Sequence, residues 1–173
     1  MPGVQIRTAE PDEWKQARDL RLEMLADTPE AYLEPLEEAR ALADEDWQAR
    51  LGNQLAVPDR SITVVAVDAS GRWRGQMVTM LDTFSGPPRM WLGAVFLSPQ
   101  LRGSGAAAGM LRQIEQWTRE RSHDQLWLEV HELNARAIGF YRRHGFVETG
   151  KRRPYPLDRS HDEVEMVKAL QED

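Results

Sequence analysis

Gly103-Ser104-Gly105 lies between an apolar run ending at Leu97 and an amphipathic stretch beginning at Ala106. An apolar strand, a glycine-rich turn and a helix start together can aim backbone N–H groups at an anion. The first N–H groups of a helix lack intrahelical partners, and the helix dipole adds partial positive charge there. Gly103 and Gly105 can adopt dihedrals closed to other residues and admit a phosphate close to the backbone. Ala106, Ala107 and Ala108 keep the first turn low. The same stretch could serve only as a tight corner. There is no Gly-Lys-Ser/Thr, so a nucleoside-triphosphate loop is unsupported, and the turn lies too late in the chain for a dinucleotide fingerprint.

The second group of chemistry-bearing residues lies between Leu126 and Gly150. Asn134 is a good helix N-cap. Tyr141 shares a helix face with Ala137 and Ile138, which by itself predicts a packed core tyrosine. Glu129 and Glu132 bracket His131 near the end of an alternating segment, where Glu129 shares a face with Trp127 and His131. Either carboxylate could take a proton, and either could be a solvated strand-end charge. Ser104 is not in a G-x-S-x-G elbow and has no evident histidine partner. His123, His131, His144 and His161 form no recognisable ligand pair, so no metal is expected.

These residues need elements to hold them. Val4 to Arg7 alternates as a short strand, Pro11 opens a helix carrying Trp14, Ala17, Leu20 and Leu25, and a second helical region covers much of 30–51, ended by Pro58. That second region carries Leu33, Leu36 and Ala39 on one face. Ser61 to Asp68 and Gly75 to Leu81 read as a hairpin, and Met90 to Leu97 as a buried strand. The helix after the glycine turn buries Ala107, Met110, Leu111, Ile114 and Trp117. Leu126 to Val130 is a strand, Ala135 to Arg143 a helix stopped by Gly145, and Phe146 turns into the core. Two final strands flank a long polar loop, KRRPYPLDRSHD. The order β-α-α-β-β-β-α-β-α-β-β is an α/β fold with a mixed sheet, within one domain over 1–173.

Composition narrows the partners. The 173 residues carry a net charge of −6, which argues against nucleic acid. No apolar segment reaches the roughly 20 residues needed to span a bilayer, so no membrane is expected. The N-terminus lacks a secretory core, making the cytoplasm the expected compartment. There is no cysteine, which removes disulfides, thiolate zinc sites and a cysteine nucleophile.

Arg102-Gly103-Ser104-Gly105-Ala106-Ala107 resembles the Q/R-x-x-G-x-G/A acyl-coenzyme A loop of the GNAT superfamily of N-acetyltransferases, and Leu97-Ser98-Pro99 is similar to that family's V-x-P lead-in. Asn134, Ala137, Tyr141 and Gly145-Phe146 resemble its second conserved block. The segment order is also similar along nearly the whole chain. The resemblance implies a central sheet splayed at the acyl-CoA site, with acetyl-CoA as co-substrate and direct transfer to a primary amine of a small molecule. It places the pyrophosphate on the N–H groups of Arg102 to Ala107 and the pantetheine arm along Val95, Phe96 and Leu97. Asn134 and Ala137 would contact the pantetheine arm, a backbone N–H near Val95 would polarise the carbonyl, and Tyr141 would protonate the departing thiolate.

The sequence departs from the family at one point. Several members carry a Glu at the start of the strand before the loop, where this chain has Trp91, and no carboxylate lies between Met90 and Leu97. Glu129 and Glu132 are the candidate bases, with His131 behind them; a water chain or an amine arriving neutral is equally open. The variable acceptor regions of the family fall on 30–51, the FSGPP loop and 152–162, which supply Tyr32, Phe84, Trp91 and Tyr155. A non-catalytic acyl-CoA sensor, a protein N-terminus or lysine as acceptor, and an interaction protein using the turn only for packing are the alternatives. Homodimers are common in the family.

Overall fold

The computed structural model describes residues 3–170. Seven strands form one sheet in the order β1-β2-β3-β4-β5-β7-β6. In chain order they are β1 (Gln5–Thr8), β2 (Ser61–Val67), β3 (Trp73–Asp82), β4 (Arg89–Leu97), β5 (Gln125–His131), β6 (Val147–Tyr155) and β7 (Asp158–Ala169). Every neighbouring pair is antiparallel except β4–β5. The fold is therefore the mixed α/β sheet that the hydrophobic periodicity anticipates. No helix among the described residues is long and apolar enough to cross a membrane.

Alternation along β2 explains why helices cover both faces. Val64 and Ala66 face one core with Met110, Leu111 and Ile114 of α4 (Ala106–Glu120), and Tyr141 of α5 (Ala135–Arg143) joins it. Val65 and Val67 face a second core with Leu20, Met24 and Leu25 of α1 (Trp14–Asp27) and Trp47 and Leu51 of α3 (Asp44–Leu55). Residues one apart in a strand point to opposite faces, so a sheet covered on both sides needs this near-continuous apolar run.

Two expectations are corrected. The helical region over 30–51 is broken into a 3₁₀ turn (Pro29–Ala31), a short α2 (Leu36–Arg40) and α3, so three helices precede β2. Pro35 holds an extended backbone ahead of α2, and the Ala43 N–H is taken by the Asp46 carboxylate (3.0 Å), which starts a new helix. Leu33 consequently falls in an irregular stretch and is exposed, while Trp47 and Leu51 supply the buried face. The polar segment from Lys151 to Asp162 is no long loop either. It is most of the β6–β7 hairpin, turning at Pro156-Leu157. Every β6 residue except Tyr155 is exposed, as an edge strand allows, and the edge also tolerates Pro154.

The sheet opens where the strands matter most. β4 and β5 pair only at Met90↔Leu126 and Trp91↔Trp127, and then diverge. β4 remains paired with β3 as far as Leu97↔Gly75, and β5 with β7 as far as His131↔Glu163. The gap therefore lies between two strands that are each held from the other side. Within β4 the register to β3 shifts by one residue, and Ala94 takes a left-handed φ of 47°. An inserted residue of this kind bends the strand and re-aims its backbone groups.

Candidate functional site

A cleft of about 240 Å³ occupies the gap between β4 and β5. Leu92 to Leu97 form one wall, Glu129 to His131 the other, and Asn134, Ala137 and Tyr141 of α5 close it from behind. Arg102, Gly103 and Ala107 stand at its open end. The structure thus brings together Val95, Phe96, Leu97, Arg102, Gly103, Ala107, Asn134, Ala137, Tyr141 and Glu129, while Ser104, Gly105 and Ala106 continue the turn beside them. Glu132 lies elsewhere. It borders a shallow depression with Arg142, Glu148 and Arg152.

Each element is held by local chemistry. Gly103 and Gly105 have φ of 80° and 86°, so both use the left-handed region that glycine enters without strain. Gly105 is the N-cap of α4, and a Cβ built at either glycine meets no protein atom within 4 Å. Arg102 N–H donates to Pro99 C=O (3.3 Å), Ser104 N–H to Leu101 C=O (3.1 Å) and Ala106 N–H to Ser104 Oγ (3.3 Å). The N–H groups of Gly103, Gly105, Ala107 and Ala108 have no acceptor among the described residues. Ser104 serves as a local cap.

α5 is positioned by its ends. Asn134 Oδ1 accepts from Ala137 N–H (3.1 Å), as its helix-starting role predicts. Gly145 takes φ 89°, and the Phe146 N–H returns to Tyr141 C=O (3.0 Å), closing the helix and sending Phe146 into the core. Tyr141 is buried, and its ring packs edge-on against Phe140 and Phe146. Its hydroxyl has no hydrogen bond to another described residue, although the side chain lines the cleft. Burial pushes the phenol well above its ordinary value, and nearby Tyr32 adds to this, so it stays protonated at neutral pH.

The carboxylates separate cleanly. Burial raises Glu129, partly offset by Arg153 (3.3 Å) and reinforced by Glu165 on β7. Glu132 is held below its ordinary value, chiefly by the Asp162 N–H (3.0 Å), with His161 and Arg152 also engaging it. His131 is buried, and its Nδ1 accepts from Leu133 N–H (3.2 Å). Glu129 is thus the acidic side chain on the cleft wall, with His131 beside it.

Two sets of contacts around the cleft escape sequence reasoning, although Tyr32 itself is among the aromatics it names. Tyr32 is buried, and its hydroxyl donates to the Val95 carbonyl (2.8 Å) at the strand irregularity. Asp27, at the end of α1, pairs with Arg102 (2.5 Å) and Arg136 (3.5 Å), and so spans the mouth of the cleft. Burial alone would raise Asp27, yet the Thr28 hydroxyl and the Arg102 and Arg136 guanidiniums hold it below its ordinary value. These partners lie 63, 75 and 109 residues apart, so no local pattern announces them.

A mixed sheet splayed between two parallel strands, with a glycine turn feeding a helix at the open end, defines an acyltransferase-type fold. The chain belongs to the acetyltransferase (GNAT) family, whose pattern it matches over residues 17–146. Streptothricin acetyltransferase of Streptomyces lavendulae is 36% identical over 90 residues, covering 52% of this chain and 47% of that protein. The chain spans about half the length of the curated relatives it matches. Among solved structures, a GNAT-family acetyltransferase from Streptococcus pneumoniae superposes with a TM-score of 0.81 at 22% identity, covering 98% of this chain and 100% of that one. An acetyltransferase from Salmonella typhimurium, solved with acetyl-CoA, gives 0.77 at 17% identity, with 99% and 96% covered. These two show the shared fold.

Proposed function

We propose that the chain is an N-acetyltransferase that moves the acetyl group of acetyl-CoA directly onto a primary amine of a small molecule. One observation carries this reading: the edge of β4 from Leu92 to Leu97, which β5 leaves unpaired, leads into a turn with four N–H groups that have no acceptor among the described residues. A pantetheine arm carries amides that lose water on burial and need backbone partners, which a strand edge supplies. A pyrophosphate needs donors and positive potential, available from Gly103, Gly105, Ala107, Ala108, the helix dipole and Arg102. The open space beside both glycines is room for that anion.

In the reaction the amine nitrogen attacks the thioester carbonyl carbon. A C–N bond forms, the C–S bond breaks, and the sulfur leaves with the electron pair. Tyr141 donates its phenolic proton to that sulfur, a role suited to a buried hydroxyl that is protonated and has no competing hydrogen bond among the described residues. An alkylammonium must first lose a proton. Glu129 is the carboxylate on the cleft wall that can receive it and pass it to water, while Glu132 is committed to Asp162, His161 and Arg152. The Tyr32 hydroxyl holds the Val95 carbonyl and so orients the adjoining backbone against which the acyl group would rest.

The test is calorimetric titration with acetyl-CoA, with ATP and NAD as controls, followed by thiol release across an amine panel. Streptothricin, from the name of the partial relative, belongs in that panel. Micromolar binding of acetyl-CoA alone, with thiol release on at least one amine, is expected. No binding to folded protein refutes the reading; binding without turnover on any amine makes the chain an acyl-CoA sensor.

A further inference from the structure

A second cavity, about 500 Å³, lies on the sheet face that carries Trp91 and Glu129. That volume falls within the range of about 300–1,000 Å³ typical of small-molecule sites. Its apolar walls are Val57, Met80, Leu81, Phe84 and Trp91. Val57, Met80 and Phe84 are large apolar side chains left exposed, and Phe84 is 91% so. Single exposed apolar residues need no explanation, but three converging on one concavity mark a place that something apolar covers. Phe84 is held there: Asp82 accepts from the Phe84 N–H (2.8 Å) and the Ser85 N–H (3.4 Å), fixing the loop.

The polar groups of this cavity sort by commitment. Asp82 is spent on that loop, and Arg60 donates to Thr83 Oγ (3.1 Å). Glu129 meets only Arg153, at 3.3 Å, and its carboxylate has no backbone donor among the described residues. Glu129 is also the one residue shared by this cavity and the β4–β5 cleft. An amine whose body fills the apolar cavity is therefore brought to Glu129, on the wall of the cleft assigned to the acyl group.

We infer that this cavity is the acceptor subsite and takes a primary amine with an aromatic or branched apolar body, its ammonium received by Glu129 and its body packed on Phe84, Trp91 and Met80. The inference rests on the acetyl-transfer reading above. It narrows the sequence expectation, which spread the acceptor over 30–51, the FSGPP loop and 152–162: Phe84, Trp91 and Arg153 line the cavity. Neither α2 nor α3 lines the cavity, and Tyr32 and Tyr155 are buried away from it.

The experiment compares 2-phenylethylamine, n-propylamine and spermidine as acceptors, with acetyl-CoA binding measured in parallel. Losing one well-packed apolar group costs roughly tenfold or more in kcat/KM. Wild type should therefore favour 2-phenylethylamine over n-propylamine by about tenfold or more. Phe84→Ala, at an exposed position that the fold does not need, should bring that ratio towards one with the acetyl-CoA Kd unchanged. Glu129→Gln should abolish the binding preference for 2-phenylethylamine over its uncharged counterpart 2-phenylethanol. Equal or better turnover of n-propylamine or spermidine, or a ratio untouched by Phe84→Ala, overturns the subsite while leaving acetyl transfer standing. Absence of acetyl-CoA binding overturns both readings.

Discussion

Gly105→Val tests the anion turn most directly, because the structure separates its two costs. Gly105 has φ 86°, and a Cβ there meets no protein atom within 4 Å, so the substitution produces strain without a clash. A left-handed conformation costs an L-residue about 1–2 kcal/mol. For a chain of this size that is a loss of about 2–8 °C in Tm. The second cost falls on the ligand. The new side chain would occupy the space before the N–H groups of Gly103, Gly105 and Ala107. Loss of two hydrogen bonds to a charged phosphate would cost about 3 kcal/mol, or roughly 100-fold in Kd. Gly71→Val supplies the control. Gly71 has φ 81°, also faces open space, and sits in the β2–β3 turn outside the cleft. Both variants should lose similar Tm, and only Gly105→Val should lose acetyl-CoA affinity by calorimetry. Wild-type affinity in folded Gly105→Val refutes the placement of the pyrophosphate.

Tyr141→Phe removes a hydroxyl with no hydrogen-bond partner among the described residues, so stability and acetyl-CoA Kd should hold while kcat falls about 100-fold in a thiol-release assay; unchanged kcat ends the acid role. Because burial raises Glu129, the acidic limb of kcat/KM should bend above the ordinary glutamate value of 4.5, with activity rising as the carboxyl loses its proton. Arg153, Glu163, Glu165 and Arg89 share that neighbourhood, so the decisive control is Glu129→Gln, which should erase the limb; a limb that persists assigns it to another group. Away from the cleft, Glu13 is held below its ordinary value mainly by Arg7 (2.5 and 2.9 Å), with the Glu10 N–H also donating. A lowered folded value means that its stabilisation is present above pH 4.5 and is lost as pH falls through the lowered value. Glu13→Gln should cost about 1–3 kcal/mol at pH 7 and flatten that acid loss in urea titrations; an unchanged acid profile refutes the linkage.

What could be read from the residues alone is what is local. The glycine turn, the Asn134 cap, the Gly145 stop and the buried stripe of α4 each depend on neighbours within a few positions, and each stands where the spacing places it. β2 was legible because both its faces are buried and an apolar run results, and β3 to β5 because buried positions recur along them. The two final strands were legible, but their continuation through Lys151 to Asp162 escaped because an exposed edge strand carries no hydrophobic signature, and the pairing there is made by backbone. The break at Pro35 and Ala43 escaped because the helical spacing of the apolar residues continues across it.

The candidate site divides along the same line. The apolar residues Val95 to Leu97 announce a strand, but a parallel neighbour that pairs at two positions and then departs is a property of the sheet. Tyr32 on the Val95 carbonyl and Asp27 across to Arg102 are made by chain returns of 63 and 75 residues. Trp91 is the most instructive case. By sequence it is the place where an expected carboxylate is missing. In the fold it forms an apolar wall of the second cavity, and Glu129, one strand over, stands where that cavity meets the cleft. The departure at position 91 thus replaces a charge on β4 with apolar surface, while a carboxylate faces the same space from β5. An acceptor that gains by this exchange has an apolar body and a single cationic end, which connects the missing glutamate to the choice of amine.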